Sequence, residues 1–224
     1  MKVAIHQPNF LPWLGYFYKI AKCDVFVFLD SVQYTKNSFI NRNKIKTPQL
    51  DAWLTVPVSF KFGELISEVR INNDTSWREK HLKTLEMNYK KSKCFEEVFN
   101  EIKQIYHLKD WQCLSDFNIS LLKAITSYIG LNKSFIKSST WDIQAPSTEL
   151  LVQIVKKMNG NTYLSGFGGA NYQEEDLFTK EGISLEYYNF HHPTYTQLWG
   201  EFIPNLSIID LLFNCGSKSR DYLL

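Results

Sequence analysis

The chain has 224 residues, enough to bury a sizeable core, and its 44% hydrophobic and 21% charged residues are the balance of an ordinary soluble globular protein. A formal net charge of +2, with no stripe in which aromatics alternate with Arg or Lys, gives no pull toward nucleic acid, and no run reaches the ~18 apolar residues needed to span a bilayer. The four cysteines, Cys23, Cys94, Cys113 and Cys215, form no CxxC pair and no charged-then-apolar leader opens the chain, so a reduced, cytoplasmic protein without direct membrane insertion is expected.

In chain order, residues 3–5 read as a short buried strand that runs into His6, Gln7, two prolines and Trp13. Pro8 and Pro12 bias Gln7 and Leu11 away from the helical region, which puts His6 and Gln7 on a rigid, non-helical segment at the strand's carboxyl end. Leu14, Phe17, Tyr18 and Ala21 have helical spacing, and the apolar run 25–29 suits a parallel strand buried on both faces, ending in Asp30. Strand, motif, helix and strand make a βαβ unit, whose geometry brings Asp30 to the same sheet edge as His6 and Gln7; capping of the next turn is the alternative role for Asp30.

Residues 33–46 read as a polar loop whose Asn41, Arg42 and Asn43 suit a clamp on an oxyanion or a sugar hydroxyl, or simply a solvated surface. The cations Lys36, Arg42, Lys44 and Lys46 cluster there and leave the same two readings, a phosphate contact or a solvated loop. Residues 53–58 predict a third strand, stopped by Pro57. From 77 to 131 three apolar stripes at helical spacing, broken near Ser92 and Lys109-Asp110, predict a helical insertion. His81 and His107 lie there with no ligand-like partner at a fixed offset, so no metal site is expected.

Beyond Gly130, strands are predicted at 134–143, 162–166 and 183–190, with helices at 149–158, 173–180 and 204–214 and a mobile tail from Ser217. Gly166, Gly168 and Gly169 form a glycine turn whose spacing is neither the Walker nor the dinucleotide pattern. His191 and His192 stand before Pro193 at a strand end, which repeats the arrangement of His6 and Pro8, and the two His-bearing ends have the makings of one crevice. The whole predicts a single α/β domain over 1–224: a mostly parallel sheet of about five to seven strands flanked by helices, with a helical insertion over 77–131.

His6-Gln7-Pro8, Pro12-Trp13, Gly15, Lys19, Phe28-Leu29-Asp30, Asn41-Arg42-Asn43-Lys44-Ile45, Tyr163-Leu164-Ser165-Gly166, His192-Pro193, Tyr195, Gln197 and Ser207-Ile208-Ile209-Asp210 together resemble the WbqC-like protein family of bacteria, along nearly the whole chain. The resemblance implies a role near synthesis of bacterial surface polysaccharide of O-antigen type. It marks His6, Asp30, His192 and Asp210 as candidate catalytic residues and Gln7, Trp13, Lys19, Asn41, Arg42, Asn43, Tyr195 and Gln197 as candidate substrate contacts. The opening also resembles nucleotidylyltransferases with a HIGH-type motif, from which it departs in lacking the second histidine.

Three functions follow as expectations. The first is acyl or aminoacyl transfer to a nucleotide-linked amino sugar, with an acyl donor or carrier protein as partner. Here His6 or His192 is the base, Asp30 or Asp210 orients it, and Gln7, Arg42 and Asn43 hold the oxyanion or phosphates. In the second, nucleotidyl transfer or carboxylate activation with Mg²⁺, His6 and Lys19 stabilise phosphate charge. The third is a non-catalytic protein that binds a sugar or an assembly partner. No cofactor is indicated, and no cysteine has a histidine nearby in sequence to suggest a covalent mechanism.

Overall fold

The computed structural model describes residues 1–171 and 173–224. In chain order the elements are β1 (Lys2–His6), α1 (Leu14–Lys22), β2 (Val25–Phe28), β3 (Arg42–Lys46), β4 (Asp51–Thr55), β5 (Val58–Ser59), β6 (Arg70–Ile71), α2 (Trp77–Tyr89), α3 (Phe95–His107), α4 (Leu114–Tyr128), β7 (Ser134–Lys137), α5 (Ser147–Lys157), β8 (Thr162–Gly166), α6 (Glu175–Lys180), β9 (Ser184–Tyr188) and α7 (Ile208–Cys215). Short 3₁₀ turns follow β7, β8 and α7.

Five strands form one parallel sheet in the order β7-β2-β1-β8-β9. The α/β fold read from the sequence is therefore the fold observed. Counting only these strands along the chain, the order is 3-2-1-4-5: the chain builds outward from β1 through β2 to β7, then crosses back to β8 and builds the other way. The reversal makes the gap between the carboxyl ends of β1 and β8 a topological switch point, where open sheets of this kind hold ligands.

Both faces of the sheet are covered, which is why its central strands read as continuous apolar runs. Val3, Ile5, Val25, Val27 and Tyr163 turn to one face and pack with Leu150, Ile154, Val155 and Phe178 of α5 and α6. Ala4, Phe26, Phe28 and Leu164 turn to the other, against Phe17 and Ile20 of α1, Leu121 of α4 and Leu211 of α7. At Gly160 an added Cβ would come 2.6 Å from Val3, so glycine lets the turn after α5 close against β1.

Several expectations are corrected. The polar loop at 33–46 ends in β3, which pairs antiparallel with β4, Asn43 opposite Leu54 and Ile45 opposite Ala52. The third strand at 53–58 divides at Pro57 into β4 and β5, neither of them part of the main sheet. The strand predicted at 134–143 ends at Lys137, where Ser138 to Thr140 coil to bond the end of β2. The tail packs rather than moving freely: Ser219 and Leu223 are buried and Arg220 Nη1 donates to the Gly130 carbonyl over 3.1 Å.

Candidate active site

At the switch point lies a cavity of about 720 Å³. From β1 and the segment after it come His6, Gln7, Trp13, Tyr16 and Lys19; from the opposite side come Tyr163, Ser165, Gln173, Tyr188 and the glycine turn, with Ser147 and Thr148 at the start of α5. Among the described residues the lining contains no carboxylate, and Lys19 is its one cation.

Residues 7–13 leave the sheet, so their carbonyls must find partners elsewhere. Buried side chains supply them. Asn118 Nδ2 donates to the carbonyls of Pro8 (2.8 Å) and Ile40 (2.7 Å), and Asn43 Nδ2 donates to Leu11 (2.7 Å), as does Ser207 Oγ (2.7 Å). Two donors on one carbonyl hold Leu11 at φ 40, a left-handed conformation that a branched side chain adopts only under constraint. That turn delivers Trp13, whose indole folds over Gly15 so closely that a Cβ there would lie 2.3 Å from it. Pro-Trp-Leu-Gly is thus one mechanical unit: the turn presents the ring, and the glycine makes room for it.

His6 sits at the end of β1 with its ring edge-on to Tyr16, centroids 4.7 Å apart. Its Nδ1 is 3.2 Å from the Gln7 carbonyl, which only accepts, so Nδ1 carries the proton and Nε2 is the bare nitrogen. Tyr16 Oη donates to the same carbonyl over 2.9 Å. Burial, and secondarily the charge of Lys19, lowers the His6 pKa to about 3, so the imidazole is neutral at physiological pH. Lys19, 3% exposed, donates through Nζ to the Ile5 carbonyl over 2.7 Å. Burial brings its pKa down to about 7, and no carboxylate pairs with it among the described residues.

Of the residues marked from the sequence, His6, Gln7, Trp13 and Lys19 line the cavity together. His192 stands behind that wall, stacked on Trp13 at 6.4 Å between centroids with its Nδ1 on the Pro193 carbonyl, so the two histidines do not meet in one crevice. Asp30 is also absent from the crevice. It is completely buried, and its carboxylate accepts from Ser115 Oγ, Ser138 Oγ, Ser139 Oγ and the Ser139 amide, which tie β2 to α4 and to the turn after β7.

Asn41 and Asn43, expected on an open loop, are buried and bond backbone carbonyls. Arg42 lies outside the cavity, over the ring of half-exposed Trp53 at 4.2 Å. Asp210, Tyr195 and Gln197 belong to a different cluster. Asp210 accepts from Tyr89 Oη (3.0 Å) and Tyr195 Oη (2.9 Å), while Lys46 Nζ donates to Gln197 Oε1 (2.8 Å) and to the Glu201 carbonyl. The basic cluster therefore does not converge on an anion, since Lys46 is consumed in this network. His81 is structural, its Nε2 2.9 Å from the Thr55 carbonyl and its Nδ1 3.2 Å from Tyr106 Oη.

Sequence reasoning missed Tyr16 on the β1 side and, as a site, the second half of the cavity: Ser165, Gln173 and Tyr188. The signal available was the strand at 162–166 running into a glycine turn, which reaches His6 only through the β1–β8 pairing, Ala4 opposite Leu164.

The model of the WbqC-like protein family matches residues 7–222, from the motif that shapes this cavity to the packed tail. The chain belongs to the WbqC-like protein family. It is also similar to "Uncharacterized protein Rv1507c" of Mycobacterium tuberculosis, 39% identical over 225 residues that cover 99% of this chain and 97% of that protein. No solved structure matches the chain at a significant level. Among the described residues of this WbqC-like protein, no helix is long and apolar enough to cross a membrane.

Proposed function

We propose that this WbqC-like protein binds a nucleotide-linked amino sugar in the cavity between β1 and β8 and transfers an acyl or aminoacyl group to its amine, as an enzyme of bacterial surface polysaccharide synthesis. The observation that carries this reading is the pair His6 and Lys19: a neutral imidazole with Nε2 free and a buried lysine without a counter-charge among the described residues, in a cavity lined by aromatic rings, hydroxyls and amides. Aromatic faces and amides suit a sugar, a lone cation suits a pyrophosphate, and the switch point suits a nucleotide.

In the reaction the sugar amine attacks the activated carbonyl carbon with its lone pair. The C–N bond forms and the bond to the leaving group breaks while His6 Nε2 takes the amine's surplus proton and hands it to the leaving group in the same step, so that no imidazolium has to persist where burial and Lys19 hold the His6 pKa at about 3. The Gln7 carbonyl, held by Tyr16, fixes the tautomer that this transfer needs. Lys19 offers its remaining N–H groups to the phosphates or to the oxyanion of the tetrahedral intermediate.

The 3-2-1-4-5 strand order favours a second reading, nucleotidyl transfer, in which His6 and Lys19 stabilise charge on a phosphoryl group and Mg²⁺ is required. A thermal-shift panel of nucleotides, nucleotide-linked sugars with and without amino groups, and acyl thioesters separates the two, because a ligand of the native state raises the melting point by mass action. Stabilisation by an amino-sugar nucleotide, followed by an acylated product in mass spectrometry, is expected. Stabilisation only by a triphosphate with Mg²⁺ selects nucleotidyl transfer, and silence across the panel contradicts both.

A further inference from the structure

The wall of the cavity opposite His6 contains an acceptor that the fold does not use. Gln173, 9% exposed, stands just before α6 and lines the cavity. Its backbone is fixed by a 3.0 Å bond from its amide to the Gly169 carbonyl. Its side-chain Nε2 reaches only Tyr163 Oη, at 3.4 Å, and its Oε1 is buried with no partner among the described residues. Leaving a buried carbonyl oxygen unpaired costs stability that an apolar side chain of the same shape would not.

The glycine turn crowds this group into place. A Cβ on Gly169 would come 2.8 Å from Gln173 Oε1 and 2.3 Å from Ser165 Oγ, so only glycine lets the turn lie against both oxygens. The hydroxyl of Ser165 makes a long bond, 3.3 Å, to the Gly166 carbonyl. Both oxygens, each with acceptor capacity to spare, are therefore packed against the glycine turn at the cavity wall.

We propose that Gln173 Oε1, with Ser165 Oγ beside it, is the acceptor that recognises an N–H or O–H donor on the sugar, and so determines which sugar the cavity takes. The inference rests on the sugar-nucleotide reading for its ligand but not for its physics. Gln173 selects rather than reacts: a sugar with an amino or hydroxyl group at the matching carbon satisfies the orphaned oxygen, and its deoxy counterpart leaves it orphaned in the complex as well.

The test uses the full-length protein, wild type, Gln173→Met and Gln173→Glu, in equilibrium binding titrations with a bare nucleoside diphosphate and with nucleotide-linked hexoses that carry an amino group, a hydroxyl or only hydrogen at one carbon, taken carbon by carbon. Wild type is expected to discriminate against one deoxy probe by about tenfold or more. The amino and hydroxyl arms at that carbon tell which donor is read. Gln173→Met should bind the amino, hydroxyl and deoxy probes alike, and Gln173→Glu, which keeps the acceptor, should still discriminate. Discrimination that survives in Gln173→Met overturns the proposal.

A measurement without ligand keeps the two readings apart. Gln173→Met should unfold at or above the wild-type temperature, because it removes an unsatisfied buried oxygen. A clearly lower melting point makes the amide structural and overturns the proposal, whereas failure of every sugar nucleotide to bind wild type overturns the reading of the cavity while the unfolding result still judges Gln173.

Discussion

Two buried polar regions of the molecule are built on opposite terms. Around Asp210 the polar groups face one another: two tyrosine hydroxyls on the carboxylate, a lysine shared between an amide and a carbonyl, and Gln197 Nε2 donating to the Ile203 carbonyl over 2.9 Å. Around His6 the polar residues line a cavity and, among the described residues, are left partly unpaired: a bare imidazole nitrogen, a lysine with a single acceptor and an amide oxygen with none. A buried network closed on itself locks elements together, here β3, α2 and α7 with the segment around Tyr195. A network left open carries the cost of its unpaired groups until a ligand supplies the partners. Burial of polar residues marks both regions, and only the pairing tells scaffold from site.

The largest effect should come from the closed region. Asp210→Ala leaves two tyrosine hydroxyls and Lys46 without the buried charge that balances them, and it should destabilise the protein by about 3 kcal/mol or more in urea unfolding. The residual folded protein should bind cavity ligands normally. The reverse is expected at the open region. His6→Ala should lower turnover by about a hundredfold while stability moves by about 1 kcal/mol at most. If His6→Ala unfolds the chain, or Asp210→Ala abolishes binding at full stability, the two regions have been assigned the wrong way round.

Lys19 sharpens the contrast through pH. Its folded pKa of about 7 lies below its ordinary value of 10.5, so between these limits the unfolded chain binds more protons than the native one. Stability contributed at this position is therefore complete above about 10.5 and is lost as pH falls through about 7. Lys19→Met should be as stable as wild type or more so at pH 6, and the difference between the two should shrink as pH rises across the window. The substitution should also raise the His6 pKa from about 3, since the Lys19 charge is one of its depressing causes.

The smallest effect should be at Arg42. Its guanidinium rests on a half-exposed indole outside the cavity, and Arg42→Ala should cost about 1 kcal/mol or less and leave ligand affinity unchanged. A large loss of affinity would mean that the β3–β4 hairpin reaches the substrate.

Much of this was legible in the chain because local signals agreed with the fold. The spacing of Leu14, Phe17, Tyr18 and Ala21 gives α1 its observed ends, Leu14–Lys22, and the breaks at Ser92 and Lys109-Asp110 separate α2, α3 and α4. The hairpin of β3 was hidden because its inward side chains include Asn43 and Lys46, polar groups that a period-two reading takes for surface. For the site, His6, Gln7, Trp13 and Lys19 fall within one short motif and could be read together. Ser165, Gln173 and Tyr188 join them only through a crossover, and the partners that withdraw Asp30 and Asp210 into the scaffold, Ser115, Ser139, Tyr89 and Tyr195, lie far away in sequence or on other elements. Residue type showed which groups carry chemistry, but which of them were already satisfied needed the third dimension.

The most direct test of the open site is a calorimetric titration of a nucleotide-linked amino sugar into wild type and Lys19→Met near pH 7, each in two buffers of different ionisation enthalpy. An anion arriving beside Lys19 should complete its protonation, so wild type should bind with net proton uptake and Lys19→Met should bind more weakly without that uptake. Equal affinity in both proteins, with no proton uptake, would contradict the claim that the unpaired groups at the switch point are the ligand's.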